Sequence, residues 1–411
     1  MDHLRLRSAV NANLQNRINT SLILNYVRKT GATYRSVISK ALNLSLPAVS
    51  RSVDQLIKLK YLREKKIITD KGRQAFEVEI NSQLGVSVGI SIELPIFKIA
   101  KMDMAGKILT VEDVNFDLNA DSIENHILAH IKSFLDNVQY INNVEVPVIS
   151  FTIGVPAAID LKNEKIYAVL YSRLKEINLK KLIENTFGVP VFLENNENLA
   201  IIAEKHYHTP IQEENFVFVT VHYGIGAGIF FNGLLYRGVN GAAGEIGYQR
   251  IPNGFSGSLE ENTFEATCSI QQIPRIASNL IHAGKGDDIF RAANYSYENL
   301  THTLIGELAN DGNQSAQAIL KQYGQLLATG IGNLLVTLNP ELVVLGGSLL
   351  DLPNCEKFVL EPMRRCLEKA VPFPLPHFRL TRLGYEAAVI GACQMGLENT
   401  ILQAFPYNIF K

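Results

Sequence analysis

The sequence predicts an α/β protein that begins with a small helical domain. Three observations support this fold class. Strand and helix patterns alternate from Gly85 onward, helical spacing dominates residues 16–58, and the charge divides near residue 75. Residues 1–75 carry 15 Lys and Arg against 4 Asp and Glu, a net charge of +11, and the remaining 336 carry 24 against 36, a net of −12. The two parts are therefore expected to have different partners.

The length and composition indicate a multidomain chain. At about 100–200 residues per domain, 411 residues allow about three domains, and an apolar content of 47% is enough for large cores. The first residues have no apolar signal region, and no apolar run is long enough to span a membrane, so we expect a cytoplasmic protein without membrane contact. The four cysteines have no CxxC spacing, which excludes a zinc ribbon and disfavours a disulfide framework.

The head, residues 1–80, has the pattern of three helices. Apolar residues predict a first helix that ends near Gly31, and a second follows over residues 34–42. Ser45 is a good N-cap for a third helix. Its apolar residues fall on one face: Val49, Val53, Leu56 and Ile57.

The opposite face of the third predicted helix is polar and cationic. Ala48, Arg51, Gln55 and Lys58 share it, and the small side chains near the helix start would allow close approach to a major groove. A helix with one buried and one cationic stripe after a short turn is typical of a DNA recognition helix. Arg51 could read guanine or hold a phosphate, and both roles stay open.

Residues 61–81 have the pattern of two short strands joined by a charged turn, which completes a winged helix-turn-helix. Clustered cations neutralise phosphates and release counterions, so this head is expected to bind double-stranded DNA. The alternative is a cationic surface that is only solvated. The predicted DNA-binding residues are Arg35, Ser45, Pro47, Ala48, Ser50, Arg51, Gln55, Arg63, Lys65, Lys66 and Arg73.

The body begins with three predicted antiparallel strands, GVSVGISIEL (85–94), FKIAKMDMAG (97–106) and KILTVEDVNF (107–116). A helix near 122–138 and the strand VPVISFTIGVP follow. A second glycine-rich start, FVFVTVHYGIGAGIFFNGLLYRG (216–238), repeats the opening of the first lobe. We therefore predict a duplicated lobe.

Ordered motifs make the body resemble the ROK family (repressors, open reading frames, sugar kinases), which has the two-lobed actin-like ATPase (RNase H-like) fold. The motifs are GVPAAID (154–160), VPVFLENNENLAIIAE (189–204), GIGAGI (224–229), GVNGAAGEIGY (238–248), FEATCS (264–269), NPELVVLGGSL (339–349) and EAAVIGA (386–392). The head is similar to the repressor branch through NRINTSLIL (16–24) and LSLPAVSRSV (44–53). The resemblance implies a first lobe over 81–195, with a C-terminal helix at 385–411 packing back on it. It also implies a second, sugar-binding and oligomerising lobe over 196–384.

The chain departs from the kinase pattern of this family. Asn196 stands at the position of the general base, and an amide cannot accept a hydroxyl proton near pH 7. The first phosphate loop lacks its carboxylate and its Gly-Thr pair, and Tyr223 replaces Thr before Gly224. We therefore predict no catalytic residue and no kinase activity. A bulky ring at Tyr223 would crowd a phosphate.

The zinc ligands of the family are missing as well. Tyr248 replaces the family's His, and residues 249–263 contain no cysteine, so no metal or cofactor is expected. Cys268 alone is predicted to be a core thiol.

The sugar-contact positions are better retained. Glu245 and Glu265 match family carboxylates, Asn195 and Asn196 supply amides, and Tyr248 could stack on a sugar. Acids and amides suit a polyol because each hydroxyl both donates and accepts. Alternatively, Glu245 caps a turn, Glu194 forms an ion pair on the surface, and Tyr248 fills the space of the missing zinc site.

These features predict a sugar-responsive transcriptional regulator, most simply a repressor. It would bind operator DNA as a homodimer or homotetramer and a sugar or sugar phosphate as effector. Two alternatives stay open: a sugar kinase with an added DNA-binding head, and a repressor controlled by a protein partner. The sugar, the operator and the sign of the response are not readable from the sequence.

Overall fold

The computed structural model of the protein describes residues 12–68, 74–93, 96–115, 122–136, 140–141, 144–162, 165–167, 177–207, 211–251 and 262–404. The helices are α1 Ala12–Thr30, α2 Arg35–Ala41, α3 Leu46–Lys58, α4 Ile123–Asp136, α5 Leu179–Phe187, α6 Asn196–His206, α7 Phe264–Cys268, α8 Gln272–His282, α9 Asp287–Ala292, α10 His302–Asn310, α11 Gln314–Leu338, α12 Glu361–Ala370 and α13 Ala387–Ala404. The strands are β1 Leu62–Ile68, β2 Gln74–Ile80, β3 Val86–Glu93, β4 Ile96–Asp103, β5 Ile108–Asn115, β6 Tyr140–Ile141, β7 Val144–Glu145, β8 Val148–Val155, β9 Ala158–Asp160, β10 Lys165–Tyr167, β11 Val191–Asn195, β12 Phe216–Val221, β13 Ile225–Phe231, β14 Leu234–Leu235, β15 Leu342–Gly347 and β16 His377–Leu380.

The described residues divide into two compact units. The first is drawn from 1–155, 171–194 and 389–411, and the second from 156–170 and 195–388.

The first unit opens with three helices and a two-stranded ribbon, β1 and β2. The ribbon is antiparallel, with Leu62 opposite Ile80. Thr33, between α1 and α2, exchanges both backbone hydrogen bonds with Val78 at 2.9 and 2.7 Å, which ties the helices to the ribbon. The three predicted helices are confirmed. The charged turn predicted between the two strands, with Arg73, lies outside the described residues, which omit 69–73. Fully buried apolar side chains form the core of the helices: Ile23, Leu24, Val27, Ile38, Val49, Val53 and Leu56.

The first unit also contains a five-stranded sheet in the order β11-β8-β3-β4-β5. Strands β3, β4 and β5 are antiparallel neighbours, as predicted, and β8 is parallel to β3. Helix α13 approaches this sheet closely at two glycines. A Cβ at Gly89 would lie 2.5 Å from the Val389 carbonyl oxygen, and one at Gly396 would lie 2.2 Å from Ser87 Oγ. Only glycine fits such contacts without a shift of the backbone.

The second unit has a sheet with the same pattern, in the order β14-β13-β12-β15-β16. Strands β12, β13 and β14 are antiparallel, while β15 runs parallel to both β12 and β16. The predicted duplication is therefore confirmed at the level of sheet topology. Helix α11 lies in the core of this unit, where the buried Tyr323 hydroxyl donates to the Cys268 carbonyl oxygen over 3.0 Å. Burial raises the pKa of the Cys268 thiol to about 12, as expected for a core cysteine.

Within the described ranges, no helix combines the length and apolarity that a membrane span requires.

Candidate functional site

Helix α3 separates a buried face from an exposed cationic one. Val49, Ser52, Val53 and Leu56 are buried, whereas Arg51 and Lys58 are exposed. Ser45 holds the N-cap position with extended backbone but makes no side-chain capping bond, and Pro47 lies in the first turn. Ser45, Pro47 and Gln55 are exposed, and Ala48 and Ser50 are half-buried. This face leaves the predicted contact positions of α3 accessible to a large ligand.

Two of the predicted DNA-binding arginines are engaged by carboxylates. Arg35 donates from Nη2 to Asp54 Oδ1 over 2.6 Å and from Nε to Glu64 Oε1 over 2.9 Å. Its Nη1 also donates to the Ser50 carbonyl oxygen over 3.3 Å, so Arg35 joins α2, α3 and β1. Arg63 pairs with Glu79 across the ribbon at 2.7 Å, whereas Lys65 and Lys66 are exposed. Arg35 and Arg63 therefore fix the geometry of the head. Arg73 lies outside the described residues.

The predicted sugar-binding amides begin helix α6. Asn195 is its N-cap, with Oδ1 accepting from the backbone N–H groups of Glu197 (2.8 Å) and Asn198 (3.1 Å). Its Nδ2 donates to the Ala157 carbonyl oxygen over 3.2 Å. These bonds use the Asn195 amide to hold the helix start, a role that the sequence expectation did not include. Asn196 occupies the first helical position and is buried, at 4% exposure.

Glu245, Tyr248 and Glu265 are brought together in the second unit. Glu245 precedes a short 3-10 turn, Ile246–Tyr248, and Glu265 is the second residue of α7. Burial raises the pKa of Glu245, and the charge of Glu265 raises it further. Burial and both carboxylates raise the pKa of the Tyr248 hydroxyl. Tyr248 is 62% exposed, so its ring is available to a ligand.

Two carboxylates lie against the residues at which the turn after β12 enters β13, Gly224–Ile225–Gly226, here named the glycine turn. The Ile225 backbone N–H donates to Glu265 Oε2 over 3.0 Å. A Cβ at Gly226 would lie 2.9 Å from Glu197 Cδ. The Tyr223 ring is 59% exposed. The contact of Glu265 with the Ile225 N–H was not predicted from the sequence.

A polar network that sequence reasoning missed lies at the carboxyl ends of β12 and β15. His222 and Ser348 directly follow Val221 and Gly347, which are paired in these parallel strands, and His222 Nδ1 is hydrogen-bonded to Ser348 Oγ. Burial lowers the pKa of His222, Asp351 opposes this change, and His302 adds to it. The sequence signal that could have identified His222 and Ser348 is that each directly follows a strand pattern.

Asp351 completes the network. It accepts from the Tyr385 hydroxyl over 2.6 Å and lies 3.1 Å from His302 Nε2. Among the residues that the structure describes, no group of three or more His, Cys, Asp or Glu is placed to hold a metal ion.

The sequence of this chain is similar to a known protein family and to a known repressor. The sequence profile described as the ROK family matches residues 87–398. The xylose repressor of Bacillus subtilis (strain 168) is 28% identical over 350 residues, which are 85% of this chain and 86% of that protein.

Two solved structures match the fold. A ROK family transcriptional regulator, a homolog of the Escherichia coli MLC protein, has a TM-score of 0.78 at 20% identity, covering 95% of this chain and 98% of its own. A ROK family glucokinase from Streptomyces griseus, in complex with glucose and AMPPNP, has a TM-score of 0.64 at 22% identity, covering 76% of this chain and 100% of its own. Because the family profile matches well over half of the sequence, this chain belongs to the ROK family.

Proposed function

We propose that this protein is a sugar-responsive, DNA-binding transcriptional repressor. The observation that carries the proposal is the exposed cationic face of α3 beside the β1–β2 ribbon, an arrangement that fits a winged helix-turn-helix. The similarity to a xylose repressor supports a sugar as effector. The likeness to a regulator also extends over 95% of the chain, against 76% for the glucokinase.

In this proposal α3 enters the major groove of a pseudo-palindromic operator. Arg51 reads a base or holds a phosphate, and Lys65 and Lys66 of the ribbon contact the backbone or the minor groove. The same role is proposed for Arg73 from its position in the sequence. Arg35 and Arg63 act indirectly, because their guanidinium groups hold α3 and the ribbon in place. A single small head gives too little specificity, so we propose a homodimer or homotetramer acting in the cytoplasm.

The proposed sugar site lies in the second unit. The carboxylates of Glu245 and Glu265 accept hydrogen bonds from sugar hydroxyls. The exposed ring of Tyr248 stacks on the sugar, and Asn196 supplies an amide for further hydrogen bonds. Asn195 supports the site by capping α6. We assign sugar binding and oligomerisation to residues 196–384, and we propose that sugar binding changes the spacing of the paired heads.

We further propose that the protein does not phosphorylate its sugar. Asn196 stands where the family has its general base, the Glu265 carboxylate accepts a hydrogen bond from the Ile225 N–H, and His222 is hydrogen-bonded to Ser348 at the carboxyl ends of β12 and β15. These three features lie on different elements of the second unit. Together they argue against the alternative of a sugar kinase with an added DNA-binding head. Such a kinase would form ADP when it is incubated with ATP and a panel of hexoses.

The test is capture of sheared genomic DNA by the purified full-length protein, sequenced with and without a mixed sugar pool. We expect enrichment of a few palindromic sites and a change in their occupancy with the pool. If the same sites were enriched with and without sugars, and no sugar in the pool changed the thermal stability of the protein, control by a protein partner would be supported instead. The absence of any enriched site at moderate salt would reject the repressor.

A further inference from the structure

The glycine turn already holds a negative group of the chain itself. The Ile225 N–H donates to Glu265 Oε2, and a Cβ at Gly224 would lie 3.1 Å from the same oxygen. At the same turn, the Cγ and Cδ atoms of Glu197 lie 2.9 Å from the Cβ position of Gly226. Backbone N–H groups in glycine-rich turns commonly bind phosphate oxygens. Here a carboxylate takes that place.

The surroundings of this turn are negative as well. Besides burial, the charge of Glu265 raises the pKa of Glu245, and the charges of Glu245 and Glu265 raise the pKa of the Tyr248 hydroxyl.

We propose that Glu265, together with Glu245, selects an uncharged sugar and excludes sugar phosphates. This inference rests on the proposed sugar site and decides between the two effector classes. A sugar hydroxyl donates a hydrogen bond to a carboxylate, whereas a phosphate dianion only accepts and meets like charge. A phosphate group would also have to displace Glu265 from the Ile225 N–H.

The test is isothermal titration calorimetry of the full-length protein with matched pairs of probes. The pairs are xylose with xylose 5-phosphate, glucose with glucose 6-phosphate, and N-acetylglucosamine with its 6-phosphate. We expect a neutral member to bind and its phosphate ester to bind at least about tenfold more weakly. An ester that binds as tightly as its neutral sugar, or more tightly, would overturn the inference. Failure of both members of every pair would count against the sugar site itself.

The variant Glu265→Gln separates selectivity from simple sugar contact. It keeps the shape of the side chain and removes its charge, so the ratio of the two dissociation constants should shrink severalfold. The matched control is Glu307→Gln on α10, an exposed carboxylate outside the site, which should leave the ratio unchanged. If Glu265→Gln weakened both ligands equally, Glu265 would be a sugar contact without a role in selectivity. A thermal melt confirms that each variant is folded.

Discussion

The Arg28 guanidinium on α1 donates from Nη2 to Glu398 Oε1 on α13 over 3.0 Å, although the two residues are 370 positions apart. Gln394 Nε2 donates to the same oxygen, also over 3.0 Å. The Arg28 side chain is only 10% exposed, so solvent screens this pair less than it screens a surface pair. Within the first unit, the helices of the head are thus fastened to the last helix of the chain.

Replacing Arg28 by Ala should destabilise the first unit by about 1–3 kcal/mol, because Glu398 loses a charged hydrogen-bond partner. Urea unfolding followed by circular dichroism measures the change. The control is Arg365→Ala, which removes an exposed pair with Glu361 and should cost about 0.5 kcal/mol or less. Exchanging the charges, with Arg28→Glu and Glu398→Arg together, should recover part of the loss. Equal effects of the two single variants would contradict a special role for Arg28.

Replacing Arg51 by Ala should weaken specific operator binding by about 1–3 kcal/mol if Arg51 reads a base. If it holds only a phosphate, operator and random DNA should weaken alike. Fluorescence anisotropy at fixed salt distinguishes the two outcomes, with Arg365→Ala as the control. Unchanged binding of both DNAs would remove α3 from the interface.

Replacing Glu245 by Ala should abolish the sugar response while operator affinity in the absence of sugar stays the same. The reason is that Glu245 lies in the second unit, whereas the proposed DNA contacts lie in the first. Anisotropy titrations with and without sugar measure both properties on one sample. A variant with the full sugar response would show that Glu245 is not a ligand.

Replacing Glu245 by Gln should make the protein more stable at pH 7. Burial and Glu265 raise the pKa of Glu245 in the folded state, so its ionised form costs stability above that raised pKa. The cost disappears below the ordinary value for Glu of about 4.3, where both states are protonated. The gain in unfolding midpoint should therefore shrink as the pH falls, while Glu307→Gln shows no such trend. A gain that grew toward acid pH would have the wrong sign.

Replacing Gly89 by Ala should destabilise the first unit by about 1–3 kcal/mol. The new Cβ would meet the Val389 carbonyl oxygen at 2.5 Å and Cys393 Sγ at 2.8 Å. Gly332→Ala in α11 is the matched control, since its nearest contact is an ordinary 3.4 Å from Leu367 Cδ2. Calorimetric melting compares the two. A harmless Gly89→Ala would mean that α13 can move away from the sheet at little cost.

Much of the fold follows from local patterns in the sequence. The helices of the head were predicted because apolar residues recur at helical spacing, and β3 to β5 because their strand patterns are separated by turn signals. The bounds of these elements differ from the prediction by a few residues, because the spacing of apolar residues does not show where a helix or strand frays or where a turn begins.

The polar contacts were harder to predict, because their partners are distant in sequence. Glu265 meets Ile225 across 40 residues, and His222 meets Ser348 across 126. Arg35 was predicted to contact DNA, whereas in the structure it forms ion pairs with Asp54 on α3 and Glu64 on β1. Such pairs depend on tertiary packing, which no spacing rule encodes. The cap at Asn195 was not predicted either, although an Asn directly before a helical pattern is a local capping signal that the sequence does carry.

The close seating of α13 on the first sheet has a consequence for biosynthesis. The ribosome makes α13 after all the other helices and strands described here, yet Gly89 and Gly396 fit it against strands made much earlier. The first unit therefore completes its core only after α13 has been synthesised. A nascent chain or a truncated product that ends before α13 has neither this core nor Glu398 to hold the head, so synthesis through α13 is itself a condition for a properly anchored head.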